Sequence, residues 1–294
     1  MDSEKSFGIK PDDTMSNIKP LPLASLFAVL LRIIVGGGTT SYARSHKDGK
    51  GTATTLLFMG DSVTDGAWGR SGGNATPSDK RNHTDMNHIY GHSYMMLCAS
   101  QLESDAPDRQ YQMLNRGISG DDIRRLQVRW PQDAIGNHPD VLSLLEGTND
   151  VLYYLDSLQN KQTTLPFDMQ AWEETFRSVL AQSREANPDL IIMLGTPFVA
   201  KVGWVGDRSD FALRDSLVSD MAERIRTMAR DFDAILVDYH QMFANLCADP
   251  DKARHWIWDG IHPTPAGHRR MADLWLKAYK RCERRLGRNQ RHAD

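Results

Sequence analysis

Five short apolar runs, each closed by a glycine or a polar loop and each followed by a helical pattern, restrict this chain more than any other feature. They are 54–59 (TTLLFM, ending at Gly60), 111–114 (ending at Asn115), 141–145 (VLSLL, then Gly147), 190–194 (LIIML, then Gly195-Thr196-Pro197) and 234–237 (AILV, then Asp238). Short apolar stretches of this kind read as strands buried on both faces. Helical patterns separate them at 93–102, 122–134, 170–186, 213–230 and 266–286, and Pro265 opens the last, where a proline suits the first helical position. Strand–helix alternation repeated in this way predicts a parallel α/β sheet covered by helices on both sides. No internal repeat, low-complexity tract or interdomain linker interrupts it.

Composition narrows the class further. Hydrophobic residues at 40% and charged residues at 25% of 294 exclude a disordered chain and a polytopic membrane protein. A balance of 35 Lys and Arg against 38 Asp and Glu argues against a nucleic-acid binder, which concentrates positive charge on one face. Cys98, Cys247 and Cys282 are widely spaced, which excludes a disulfide scaffold and the usual zinc sites but leaves one bridge open.

The N-terminal 1–50 stand apart as a polar leader followed by the apolar run 21–35, LPLASLFAVLLRIIV. That run is shorter than a membrane span needs and contains Arg32. It fits a secretory signal, with Lys19 before it and Ser41-Tyr42-Ala43 as the cleavage site; the alternative is an amphipathic helix packed on the domain. The expectation is a secreted or periplasmic protein, otherwise a cytoplasmic one, with one domain over 51–286 and a basic tail over 287–294. No stable membrane insertion of that domain is expected, and the oligomeric state is left open.

In an open parallel sheet, ligands bind beyond the carboxyl ends of the strands. The loops expected there are Gly60-Asp61-Ser62-Val63-Thr64-Asp65, Asn115 to Asp121, Glu146 to Asp150, and Asp259-Gly260-Ile261-His262-Pro263. Together they hold a serine, an amide and a carboxylate–imidazole pair. A serine hydroxyl attacks only when a base takes its proton, a histidine has the right basicity, and a carboxylate orients it. Ser62, His262 and Asp259 are therefore the candidate nucleophile, base and orienting acid. The Ser62 N–H, Gly120 and the Asn149 amide are candidate oxyanion donors, with Gly117 a competitor for Gly120.

Taken together, GDS at 60–62, NRGISGDD at 115–122, GTND at 147–150 and DGIHP at 259–263 resemble the blocks of the SGNH, or GDSL-type, hydrolases, in the family's order. The resemblance covers most of 54–280 and departs mildly at Val63, where the family often has leucine. It implies a three-layer α/β/α, flavodoxin-like domain with a five-stranded parallel sheet. It also implies ester hydrolysis through an acyl-enzyme, with no metal or organic cofactor, and the same roles for Ser62, Gly120, Asn149, Asp259 and His262. Asp61 and Asp150 match motif positions and are read as structural.

The insertion 67–87 and the segment 197–208 should shape the substrate. Asp65, Arg70, Ser71, Asn74, Lys80 and Arg81 are expected along one edge and Lys201, Asp207 and Arg208 along another. Only Trp68, Phe198, Val199 and Trp204 are left to line an apolar pocket. This favours small acyl groups, acetyl above all, carried on carbohydrate. The alternatives are a lysophospholipase, thioesterase or acyltransferase using the same site, or a non-catalytic binding module, although none of Ser62, Asn149, Asp259 and His262 is missing. Trp204, Trp256 and Trp258 read either as a sugar-stacking rim or as packing. His83, His88 and His92 lie in the polar insertion without convincing metal-ligand spacing.

Overall fold

A computed structural model describes residues 53–70 and 78–291. The signal-like run, its cleavage site, Ser71 and Asn74 lie outside the described residues.

The five apolar runs form the strands β1 (Thr54–Gly60), β2 (Tyr111–Gly117), β3 (Val141–Leu145), β4 (Ile191–Gly195) and β5 (Ile235–Val237). All are parallel, in the order β2-β1-β3-β4-β5, the doubly wound flavodoxin-like arrangement. Successive side chains of a strand face opposite sides, and both sides are covered here. Leu56, Phe58, Val141 and Met193 pack against α2 (Tyr94–Asp105) and α10 (Pro265–Arg291). Leu57, Met59, Leu142, Leu144 and Leu194 pack against α3 (Ile123–Asp133), α5 (Met169–Ala186) and α7 (Phe211–Asp231). The one polar side chain inside β3, Ser143, accepts the Trp275 indole N–H from α10 at 3.0 Å, so its burial leaves no acceptor unpaired.

The five expected helices are present, with ends shifted by a few residues. Other segments read as loop or as one strand end turn out otherwise. β2 continues through Asn115-Arg116-Gly117 because β1 extends to Gly60 beside it. α1 (Ser62–Asp65), α4 (Thr148–Gln159), α6 (Gly203–Gly206), α8 (Tyr239–Leu246) and α9 (Pro250–Trp256) are further helices. α4 starts inside the GTND block, so Asn149 sits in the first turn of a helix and not in a free loop. α10 continues to Arg291, well into the stretch expected as a tail. Cys98, Cys247 and Cys282 are free thiols. No helix among the described residues is long and apolar enough to cross a membrane.

Candidate active site

β1 ends at Gly60, where the chain must turn into α1 within one residue. A side chain at Gly60 would put its Cβ 2.4 Å from the Leu145 carbonyl oxygen and 2.6 Å from Thr64 Oγ1, so only glycine lets β1 and β3 close behind the turn. Asp61 caps α1 by accepting the Val63 N–H at 2.9 Å. Ser62 is the first helical residue, half-exposed at the carboxyl edge of the sheet.

Its hydroxyl lies 2.8 Å from His262 Nε2, although 200 positions separate the two in the chain. His262 Nδ1 lies 2.7 Å from Asp259 Oδ2. The other Asp259 oxygen accepts the backbone N–H groups of Ile261 (2.9 Å) and His262 (2.7 Å). A carboxylate can only accept, so the imidazole proton resides on Nδ1 and Nε2 is left to accept from Ser62. Burial opposes ionisation of Asp259. The hydrogen bonds from the His262 ring and from the backbone outweigh it and hold the carboxyl below the usual carboxylate range. The Asp259 hydrogen bond in turn raises the His262 pKa above that of a free imidazole, against a smaller opposing effect of burial. A stronger base beside the hydroxyl is what nucleophile activation requires.

The expected oxyanion donors differ in how free they are. Among the described residues the backbone N–H groups of Ser62 and Gly120 have no acceptor. The Asn149 amide donates to the Asp121 carbonyl at 2.8 Å and reaches toward Asp61 Oδ2 at 3.5 Å, too long for a firm bond. One amide hydrogen thus anchors Asn149, and the other is only loosely held toward Asp61. Gly117 is not a donor to the site. Its N–H is taken by Asn115 Oδ1 at 2.9 Å, and its missing side chain admits the Asp65 backbone, which would lie 2.4 Å from a Cβ.

Two positioning residues escaped sequence reasoning. Asn115, buried in β2, donates to the carbonyls of Thr64 and Tyr90 at 3.0 Å and ties α1 to the sheet. Asp65, fully buried, accepts from Arg81 (2.7 Å), Arg70 (3.0 Å) and the Ser119 N–H (2.9 Å) and hydroxyl (2.5 Å). It therefore fixes the Gly120 loop against α1. The only advance signal was an Asn and an Asp inside motif blocks.

This corrects the expected substrate edge. Asp65 and Arg81 are a buried ion pair, with the Arg81 guanidinium also over the Trp68 ring at 4.5 Å. Trp68 and Phe198 are core residues, Phe198 packing on Phe243 with ring centroids 4.3 Å apart, so neither lines an open pocket. Arg208 pairs with Asp156 and Asp210. His83 contacts the Ser78 carbonyl and His88 contacts Asp85, with no common ligand geometry. Of the three tryptophans, Trp256 is half-buried against the core, whereas Trp204 and Trp258 are 47% and 59% exposed. The Trp258 ring lies roughly parallel to that of His262, centroids 6.5 Å apart.

Four acids lie beneath this surface. Burial, reinforced by Asp61, Asp150 and Asp121, pushes the Glu146 carboxyl well above its ordinary value, and one of its oxygens has no partner among the described residues. Burial raises Asp150 to about 8 and Asp61 to about 6. Asp150 serves a structural end, accepting the Ile123 N–H at the start of α3 at 3.2 Å. Burial thus disfavours negative charge on Glu146 and Asp150, beneath a site that must stabilise an anion.

A serine, its base and an orienting carboxylate at one edge of a parallel α/β sheet, beside unpaired backbone N–H groups, define a serine-dependent carboxylic ester hydrolase. The chain belongs to the GDSL-like Lipase/Acylhydrolase family, whose model matches residues 58–270. It is 28% identical to an acetylxylan esterase of Geobacillus stearothermophilus over 227 residues, 77% of this chain and 94% of that one. It is 26% identical over 253 residues to an acetylxylan esterase of Xylanibacter ruminicola, spanning 79% of this chain but only 44% of that protein. The crystal structure of the Geobacillus esterase superposes with a TM-score of 0.61 at 26% identity, covering 78% of this chain and 95% of that one. Other structures of that esterase carry alanine in place of a serine, an aspartate and a histidine and are described as catalytic mutants; the aspartate precedes the histidine by three positions, the spacing of Asp259 and His262.

Proposed function

We propose that the protein removes acetyl groups from carbohydrate esters through an acyl-enzyme on Ser62. The observation that carries this reading is the unbroken Ser62–His262–Asp259 relay, with contacts of 2.8 and 2.7 Å, beside the unpaired N–H groups of Ser62 and Gly120. His262 Nε2 takes the Ser62 proton as Oγ bonds to the ester carbonyl carbon. The carbonyl oxygen becomes an anion held by the Ser62 and Gly120 N–H groups and the Asn149 amide. The carbonyl re-forms, the C–O bond to the sugar breaks, and the His262 proton goes to the departing alkoxide. Water, deprotonated by His262, then attacks the acetyl-serine. A second collapse releases acetate and returns the proton to Ser62.

Carbohydrate as the alcohol is supported by the acetylxylan esterase relatives and by the exposed Trp204 and Trp258, whose flat rings suit the C–H face of a sugar. Export of a domain spanning 51–286 belongs to the same proposal, and amino-terminal sequencing of the protein recovered outside the cytoplasm tests it. The substrate reading is tested with p-nitrophenyl esters from acetyl to dodecanoyl alongside an acetylated xylo-oligosaccharide. kcat/KM should be highest for acetyl and fall about tenfold by octanoyl, equivalent to ~1.4 kcal/mol of transition-state binding. A value rising steadily to dodecanoyl would overturn the deacetylase reading in favour of a lysophospholipase or thioesterase.

A further inference from the structure

A concavity opens beside the Gly120 loop, and none of Ser62, Asp259 and His262 lines it. It is a cleft of about 730 Å³ between the start of α3, the outer face of α4, the segment 160–168 and the start of α5. That volume lies within the ~300–1,000 Å³ range of small-ligand sites. Its inner edge is formed by Tyr153 and Arg125, which both donate to the Gly120 carbonyl, at 2.7 and 3.1 Å. Asp150, another lining residue, is adjacent in sequence to Asn149. The cleft thus begins where the oxyanion loop ends.

Its lining selects a class of ligand. The carboxylates are committed to backbone: Asp122 to Arg125 N–H, Asp150 to Ile123 N–H and Asp168 to Ala171 N–H. Arg125 is committed to Gly120 and lies over the Tyr153 ring at 4.6 Å. Arg124 is the one lining cation without such a bond among the described residues. What remains is aromatic and aliphatic surface from Tyr154, Phe167 and Leu165, the last 72% exposed, interleaved with the uncharged Gln162, Thr163 and Ser157. The buried Trp172 also lines the cleft, and its indole N–H, itself buried, has no acceptor in the protein among the described residues. Flat apolar surface mixed with neutral hydrogen-bonding groups matches a polyhydroxylated chain better than a fatty acyl chain, and Arg124 adds one more donor to it.

We propose that this cleft is an oligosaccharide subsite, holding unmodified sugar units of a chain whose acetylated unit lies at Ser62. The proposal deepens the deacetylase reading and rests on it for the identity of the chain. Ala171, exposed on the first turn of α5, lines the cleft, and Ala171→Phe would fill part of it without touching the relay. The expected result is p-nitrophenyl acetate hydrolysis within twofold of wild type, with kcat/KM on the acetylated xylo-oligosaccharide lowered tenfold or more, chiefly through KM. Ala171→Ser should behave as wild type on both substrates. Independently, the Trp172 indole N–H resonance, identified by its loss in Trp172→Phe, should move when unacetylated xylo-oligosaccharide is added to the Ser62→Ala protein. It should stay in place when Ala171→Phe is added to that background. Equal oligosaccharide kinetics in wild type and Ala171→Phe, or an unmoved Trp172 resonance, would overturn the subsite. Should Ala171→Phe also lose activity on p-nitrophenyl acetate, the resonance decides. Failure of the wild type to act on any acetylated oligosaccharide would instead reject the deacetylase reading, with the resonance still testing the cleft.

Discussion

Replacing Asp259 by Asn should preserve the shape of the relay and reverse its direction. The amide oxygen can still accept the Ile261 and His262 N–H groups, now held at 2.9 and 2.7 Å. The amide nitrogen then faces His262 Nδ1 at a position where the present separation is 2.7 Å, and two N–H groups cannot share that space. The imidazole must therefore carry its proton on Nε2, which points at Ser62 Oγ only 2.8 Å away and can no longer accept from it. The same change in another serine hydrolase triad lowers kcat by about 10⁴, so a similar loss is expected here, about 5.4 kcal/mol at 1.36 per decade. A second signature separates orientation from simple damage. His262 is more basic than a free imidazole chiefly because of Asp259, so the rising limb of kcat/KM against pH should move to lower pH in the residual activity. Stability should change little in Asp259→Asn. Asp259→Ala, which strands both backbone N–H groups, should lose about 1–3 kcal/mol for each. Initial rates on p-nitrophenyl acetate from pH 5 to 9, with urea unfolding of all three proteins, measure these effects. An Asp259→Asn protein that kept more than a tenth of wild-type kcat/KM, or whose rising limb stayed in place, would refute the argument.

Ser62→Ala should fold normally and lose several decades of ester hydrolysis, leaving only catalysis from binding and anion stabilisation; activity above about a tenth of wild type would remove Ser62 from the nucleophile role. Asn149→Ala should lower kcat by roughly 10²–10³ with little change in KM, and should also destabilise the fold by about 1–3 kcal/mol because the Asp121 carbonyl loses its donor. A loss confined to KM would place Asn149 in ground-state binding. Asp150, raised by burial to about 8 from 3.8, holds in the folded state a proton that the unfolded chain releases, so it favours folding most below pH 3.8, and that contribution is lost as pH rises toward 8. Asp150→Asn keeps an acceptor for the Ile123 N–H without the charge, so unfolding free energies between pH 5 and 8.5 should fall less steeply than in wild type by a few kcal/mol, on the order of 1.36 per pKa unit; identical slopes would mean that Asp150 ionises freely in the fold.

Much of this molecule was legible in the chain because its signals are local. An apolar run bounded by turn residues needs no partner to declare a doubly buried strand, and all five were readable from 54–59 to 234–237. Ser62, Asn149, Asp259 and His262 could be singled out as candidates for a related reason: each stands in a short block beyond a strand or before the last helix, where a parallel sheet gathers its loops. Residues that act through distant partners carried no such mark. Asp65 and Arg81 look like surface charges until the fold buries them together, and Trp68 looks like a pocket wall until Arg81 covers it. Asn115 takes its meaning from carbonyls in α1 and at Tyr90, and the cleft beside Gly120 exists only where α3, α4 and α5 meet. Hydrophobic periodicity reports which face of an element is buried, but not what it is buried against. The 2.8 Å contact between Ser62 and His262, across 200 positions, is accordingly a product of the packed sheet.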